Sequence, residues 1–145
     1  GVEQKDIKPL YQQMFDEVEL SKRALGKNWN RLTQDQRREF VALFRRLLEQ
    51  SYLDTILAYS NEKVLFDKEI ALAPNLAEVH TRIVSSSKTV PVSYRLILKN
   101  GVWKIYDVVA ENISLVQNYR SQFNEILTKN SPDQMLEILR KKVNK

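Results

Sequence analysis

The spacing of apolar residues changes twice along the chain: helical up to about Tyr59, alternating in twos from Lys63 to Ala110, and helical again from Ser114 onward. In the first stretch Ile7, Leu10, Tyr11, Met14, Phe15, Val18 and Leu25 fall mostly three and four apart. Pro9 suits the first turn of this helix and Gly26 its end, and the weaker periodicity from Asp16 to Glu19 allows a break into two short helices. Trp29, in the connection from Gly26 to Leu32, is expected to dock on the core. Thr33-Gln34-Asp35-Gln36 reads as a capping box that opens a helix of about 26 residues, roughly 39 Å long. Its stripe of Phe40, Leu43, Phe44, Leu47, Leu48, Tyr52, Ile56 and Tyr59 is wide and aromatic, and Arg37, Arg38, Arg45, Arg46, Glu49 and Asp54 occupy the other faces.

The middle of the chain predicts four strands: Val64 to Ile70, Glu78 to Ser85, Thr89 to Lys99 and Val102 to Ala110. Asn100-Gly101 supplies the two positive φ angles of a type I′ turn between the last two. In the third strand Val90, Val92, Tyr94, Leu96 and Leu98 point one way and Thr89, Ser93, Arg95 and Lys99 the other. Strict alternation in the fourth strand sets Trp103, Ile105 and Val109 beside Asp107, and Val102, Tyr106 and Val108 beside Lys104. It leaves neither face clean. Beyond Ala110 the chain is expected to pass through Glu111-Asn112-Ile113 directly into a helix, with a second capping box at Ser114 to Gln117 and a stripe of Leu115, Val116, Tyr119, Phe123, Ile126 and Leu127. Ser131-Pro132-Asp133-Gln134 starts the last helix, which should bury Met135, Leu136, Ile138, Leu139 and Val143 and place Lys141, Lys142 and Lys145 at its negative end. Helices, then consecutive strands, then helices argue for an α+β fold: a four-stranded twisted antiparallel sheet packed by a long helix and flanking helices.

At 145 residues the chain reads as a single domain, able to bury about two-thirds of its unfolded surface. A hydrophobic fraction of 43% with 28% charged residues suits a globular protein rather than a disordered one. No run of about 18 apolar residues predicts a membrane span, and no signal peptide is visible. Cysteine is absent, which excludes disulfides, thiolate chemistry and Cys-based metal sites. The net charge of +5 comes from 23 basic and 18 acidic side chains. Arg37-Arg38, Arg45-Arg46 and Lys141-Lys142 fall on polar helix faces. That pattern fits solvated surfaces and a general preference for anionic surfaces; nucleic-acid binding would ask for a basic stripe interleaved with exposed aromatics.

Candidate chemistry is sparse. His80, the one histidine, shares an expected solvated strand face with Glu78 and Arg82, and no HExxH, glycine-rich phosphate loop or paired cysteine exists. A carboxylate beside a phenol in an apolar pocket could support proton transfer, with Asp107 or Glu111 next to Tyr94, Tyr106 or Tyr119. The structural alternative has Asp107, Glu111 and Arg120 pairing or capping the strand-to-helix junction.

Gly101-Val102-Trp103-Lys104-Ile105-Tyr106-Asp107-Val108, then Glu111, Ile113-Ser114-Leu115 and Asn118-Tyr119-Arg120-Ser121-Gln122-Phe123 resemble the signature of the MlaC (toluene-tolerance) family of periplasmic phospholipid-binding proteins. Ala24-Leu25-Gly26-Lys27-Asn28-Trp29 with Thr33, Phe40, Phe44 and Leu48 resembles the helical half of that family, so the similarity runs from about Asp6 to Leu139. Asn112 departs from it, since family members usually carry glycine there; asparagine tolerates the left-handed conformation better than most residues.

The resemblance implies an NTF2-like or cystatin-like arrangement with phospholipid acyl chains held between sheet and helices. It implies a periplasmic carrier, an auxiliary component of an ABC-transporter pathway for outer-membrane lipid asymmetry, whose partners are phospholipid and a membrane-associated lipid-transport complex. Neither cofactor, metal, nucleic acid nor enzymatic activity is expected. The residues expected to line the cavity are Val92, Tyr94 and Leu96 from the third strand, Ile105 from the fourth, Ile113 and Val116 at the junction, and Phe44, Leu48 and Tyr52 from the long helix. Each is also an ordinary core candidate. A ligand-independent interaction module and a small pocket enzyme using Asp107 and Tyr106 stay open beside the carrier. The resemblance also implies that family members carry a signal peptide and further helical sequence ahead of this region, which leaves open that the chain lacks that segment.

Overall fold

The computed structural model describes residues 14–59, 63–84 and 88–144, with 52–59 as helical backbone only. The chain forms two compact units, Gly1–Asp16 with Thr55–Leu115 and Glu17–Asp54 with Val116–Lys145. The first holds the sheet and the second most of the helices.

The sheet is an antiparallel meander in sequence order: β1 (Lys63–Ala73), β2 (Leu76–Val84), β3 (Thr89–Lys99), β4 (Val102–Ala110) and β5 (Ile113–Ser114). Asn100 and Gly101 have φ of 52° and 77°, as the β3–β4 turn requires. The four-strand expectation is corrected by a fifth strand, and the reason lies in Glu111 and Asn112. Their φ angles of 52° and 69° make a second tight two-residue turn, so that Ile113 folds back opposite Ala110 instead of passing straight into the helix. Neither residue is glycine, and a left-handed L-residue brings Cβ against the backbone. Glu111→Gly should therefore raise stability by about 0.5–1 kcal/mol net of glycine's extra freedom in the unfolded chain, and Asn112→Gly by less. Denaturant midpoints of the two variants would check this ranking.

A second correction concerns β4. Arg95 pairs with Asp107 while Leu96 pairs with Ile105, so Tyr106 is an extra residue in the ladder. This β-bulge resets the alternation. Trp103 and Ile105 now share a face with Val108, whereas Asp107 joins Lys104 and Val109 on the other. Asp67 makes a similar bulge in β1, where its carboxylate receives the Arg82 guanidinium at 2.9 and 3.0 Å. Beyond β4, the Asp16 N–H donates to the Ile105 carbonyl at 2.8 Å and Lys99 pairs with Asp16 at 3.0 Å. Phe15 and Asp16 thus lie outside any helix just before α1 (Glu17–Leu25), whereas the expected helical turns at Ile7, Pro9, Leu10 and Tyr11 lie outside the described residues.

In the helical unit α1 leads through a 3-10 turn (Gly26–Arg31) to α2 (Gln34–Tyr59), which continues into the first unit; α3 (Leu115–Lys129) and α4 (Pro132–Val143) follow the sheet. The expected capping box at Thr33 is present, and the helix-start signal at Ser131 forms a second one. The Gln36 N–H donates to the Thr33 hydroxyl while the Gln36 side chain accepts from the Thr33 N–H, and Ser131 and Gln134 repeat the exchange with Pro132 at the helix start. Phe40 and Phe44 of α2 meet Tyr119 and Phe123 of α3 edge-to-face with ring centroids 5.2–5.4 Å apart, while the two rings within each helix stack at 5.5 and 5.7 Å. Along α2 and α4, Gln36 donates to Asp133, Arg140 grips both oxygens of Glu39, and the Gln50 amide donates to the Val143 carbonyl at 2.7 Å. The Arg140 hydrogen bond holds the Glu39 carboxyl below its ordinary pKa. Ile138, expected to be buried, is 40% exposed, because it lies about a third of a turn from the stripe of Met135, Leu136, Leu139 and Val143.

Candidate functional site

Cross-strand pairing sorts the sheet into two chemically different faces, since residues opposite one another project to the same side. One face carries Val64, Phe66, Glu69 and Ala71 from β1, Ala77, Val79, Thr81 and Ile83 from β2, Val90, Val92, Tyr94, Leu96 and Leu98 from β3, Trp103, Ile105, Val108 and Ala110 from β4, and Ile113 from β5. Its centre is buried: Ile83, Val90 and Val92 form one cluster with Tyr94 and Val108 against it. Its rim is not. Phe66 and Ile113 are each 64% exposed, and Val64 and Trp103 are also open.

Five expected site residues, Val92, Tyr94, Leu96, Ile105 and Ile113, thus lie on a single face. Burial pushes the Tyr94 hydroxyl above its ordinary pKa of 10.0. Phe44, Leu48 and Val116 are buried in the helical unit, with Phe44 at the middle of the ring cluster. The Tyr52 side chain lies outside the described residues. Sequence reasoning missed Val64, Phe66, Trp103 and Val108. Alternation in β1 carried the signal for the first two, whereas the Tyr106 bulge hid Val108.

The opposite face buries Ile97 and carries a chain of charges tied to one another. His80 Nε2 lies 3.0 Å from Glu78, Glu78 lies 3.9 Å from Arg95, and Arg95 reaches Asp107 at 3.5 Å. Asp107 is only 2% exposed, and it accepts from the Ser114 hydroxyl at 2.5 Å and from the Val108 N–H at 2.8 Å. The carboxylate therefore anchors β5 to β4 at the start of α3, as the capping alternative expects. Arg120 donates to the Arg23 carbonyl, and Arg82, expected beside His80 as a solvated group, pairs with Asp67. Since Tyr94 pairs with Val108 and Asp107 with Arg95, the phenol and the carboxylate project to opposite faces. That separation removes the Asp107–Tyr94 version of a proton-transfer site. Among the described residues no group of three or more His, Cys, Asp or Glu could hold a metal ion, and no helix is long and apolar enough to cross a membrane.

An antiparallel meander with one face apolar at its centre, together with a helical unit, defines the class: an α+β protein. A solved phospholipid-binding protein from Ralstonia solanacearum, in complex with a phospholipid, has the same fold, with a TM-score of 0.87 at 20% identity over 98% of this chain and 83% of that one. The family model described as MlaC protein matches residues 3–141, and the chain belongs to the MlaC family. It is 27% identical over 119 residues to the intermembrane phospholipid transport system binding protein MlaC of Haemophilus influenzae, covering 79% of this chain and 56% of that protein. With the toluene tolerance protein ttg2D of Pseudomonas putida it shares 29% identity over 102 residues, covering 70% and 47% respectively. The chain spans about half the length of these curated relatives.

Proposed function

We propose that this protein is a periplasmic phospholipid carrier that holds acyl chain against the apolar face of its sheet and exchanges lipid with membrane-associated transport components. The observation that carries this reading is the face itself: a mainly apolar surface that reaches all five strands, interrupted by Thr81 and by exposed Glu69 on β1, buried at its centre and open at Phe66, Trp103 and Ile113. Exposed apolar surface bordering a buried centre marks a binding site. Family membership and the phospholipid named for the Ralstonia and Haemophilus proteins support the choice of ligand. The energetics are sufficient without catalysis. Each methylene removed from water contributes about 0.8 kcal/mol, so some fifteen of them are worth roughly 12 kcal/mol. Val92, Tyr94, Leu96 and Ile105 form the lining in this reading, and Ile113 stands at its rim.

Native mass spectrometry of the purified chain, followed by organic extraction, tests the proposal. An added mass that resolves into phospholipid is the expected result. A chain that stays apo after incubation with phospholipid vesicles would overturn it.

Tyr94 offers an independent readout. Because its folded pKa is raised, the stability carried by the neutral phenol is complete below pH 10 and is lost as pH rises through the folded value. A phenolate absorbance titration should show one tyrosine ionising late, and Tyr94→Phe should remove that step.

A further inference from the structure

We infer that the 3-10 corner Gly26–Arg31, with Arg37 and Arg120, is a docking surface for anionic phospholipid headgroups of a membrane. The inference starts from how the arginines of the helical unit are neutralised. Arg23, Arg38, Arg45 and Arg140 pair with the carboxylates of Glu19, Asp35, Glu17 and Glu39, and Arg46 stands by itself on the Val143 carbonyl and the Asn144 amide oxygen. Three others converge on the corner and bind only uncharged oxygens. Arg120 donates to the Arg23 carbonyl and lies 3.5 Å from where a Gly26 Cβ would be. Arg31 donates to the Leu127 carbonyl and the Asn28 amide, and Arg37 donates to the Trp29 carbonyl with its guanidinium 4.9 Å above the indole. Carbonyls near helix ends accept one N–H from each arginine, which accounts for their orientation. The partial charge of such ends does not cancel a full guanidinium, so the corner keeps a net positive charge.

The geometry arranges these charges in a row. Arg120, Asn124 and Leu127 are successive contacts along one side of α3, and they meet Gly26, Asn28 and Arg31 in order. The row is about 10 Å long, seven residues of α-helix at 1.5 Å each. Lys27 lies within it, exposed, and the segment from Lys22 to Arg31 contains no acidic residue. Half-buried Trp29 beneath Arg37 adds the aromatic component typical of a membrane interface. Basic clusters of this kind gain roughly fivefold in affinity per charge at an anionic leaflet. The choice of a lipid surface over an acidic protein rests on the carrier reading, since a carrier that exchanges lipid with membrane-associated components works at the surface of the bilayers that hold them.

The test is sedimentation with vesicles of phosphatidylcholine alone or mixed with phosphatidylglycerol. The chain should bind the mixed vesicles at about 0.1 M salt, where the Debye length is about 10 Å, release them at about 1 M, and ignore the neutral ones. Lys27→Gln with Arg31→Gln should weaken binding about 25-fold, whereas Arg31→Lys, which keeps the charge, should retain it. Lys141→Gln with Lys142→Gln removes the same charge from α4, next to Val143, which contacts Arg46 and Gln50. That site lies at least roughly 13 Å along α2 from Arg37, beyond the Debye length, so the loss should stay below about twofold. Equal binding to both vesicle types, an equal loss in the α4 variant, or failure of Arg31→Lys would each overturn the inference. Capture by soluble polyglutamate without binding to mixed vesicles would overturn it in favour of an acidic protein partner. Bound-lipid mass measured on the same samples separates the two proposals: a lipid-loaded chain that ignores anionic vesicles refutes the docking surface and leaves the carrier standing.

Discussion

Ile113→Arg should empty the protein of phospholipid while leaving the fold intact. Ile113 is 64% exposed, so folding has little to lose there, and a surface substitution of this kind stays within about 0.5 kcal/mol. A lipid chain covering the rim would lose the apolar contact of the isoleucine and meet a guanidinium instead. The lost burial alone is worth about 2–3 kcal/mol, or roughly 30- to 100-fold in affinity, and an unpaired charge under an acyl chain adds to it. Val92→Arg should abolish binding completely, but at a buried position it also strains the sheet, so its thermal midpoint must be measured beside its lipid content. Native mass spectrometry with lipid extraction reads both variants. Wild-type lipid occupancy in a folded Ile113→Arg protein would remove the β5 rim from the site.

Phe44→Ala should cost about 3–5 kcal/mol of stability, the range for deleting a buried aromatic side chain. Phe44 is 1% exposed and its ring meets Phe40 at 5.5 Å, Tyr119 at 5.2 Å and Phe123 at 5.4 Å, so truncation opens a cavity at the centre of the α2–α3 contact. Against a typical total of about 5–15 kcal/mol this is a large fraction. Urea unfolding gives the number, and a cost below about 1 kcal/mol would deny the ring cluster its place as the packing centre of the helical unit. The same variant decides between the two roles open to Phe44. Lipid occupancy that falls well below the unfolding midpoint makes it part of the lining; occupancy that holds makes it core alone.

Much of the architecture was legible because its signals are local. A capping box spans four residues, and Thr33 and Ser131 both perform as their sequences suggest. Asn100-Gly101 encodes its own turn through the two residues that tolerate positive φ. The alternation of β3 is uninterrupted, so Val92, Tyr94 and Leu96 could be assigned to one side before any strand was paired. Family membership was readable for a related reason: the run from Gly101 to Phe123 carries the hairpin, the β4–β5 turn and the start of α3 in one contiguous stretch.

What the sequence by itself determined, then, is the kind and order of the elements, the residues that start and stop them, and the apolar character of the third strand. Tertiary structure decided the register. The Tyr106 bulge exists because β3 and β4 pair on both sides of it, and it alone moves Val108 to the apolar face and Asp107 to the polar one. Glu111 and Asn112 adopt left-handed angles because β5 gains a strand partner and Asp107 holds Ser114, a contact seven residues away along the chain. Periodicity within a segment reports which residues share a side; which side is covered, and which residue is left over in a ladder, depends on partners remote in sequence.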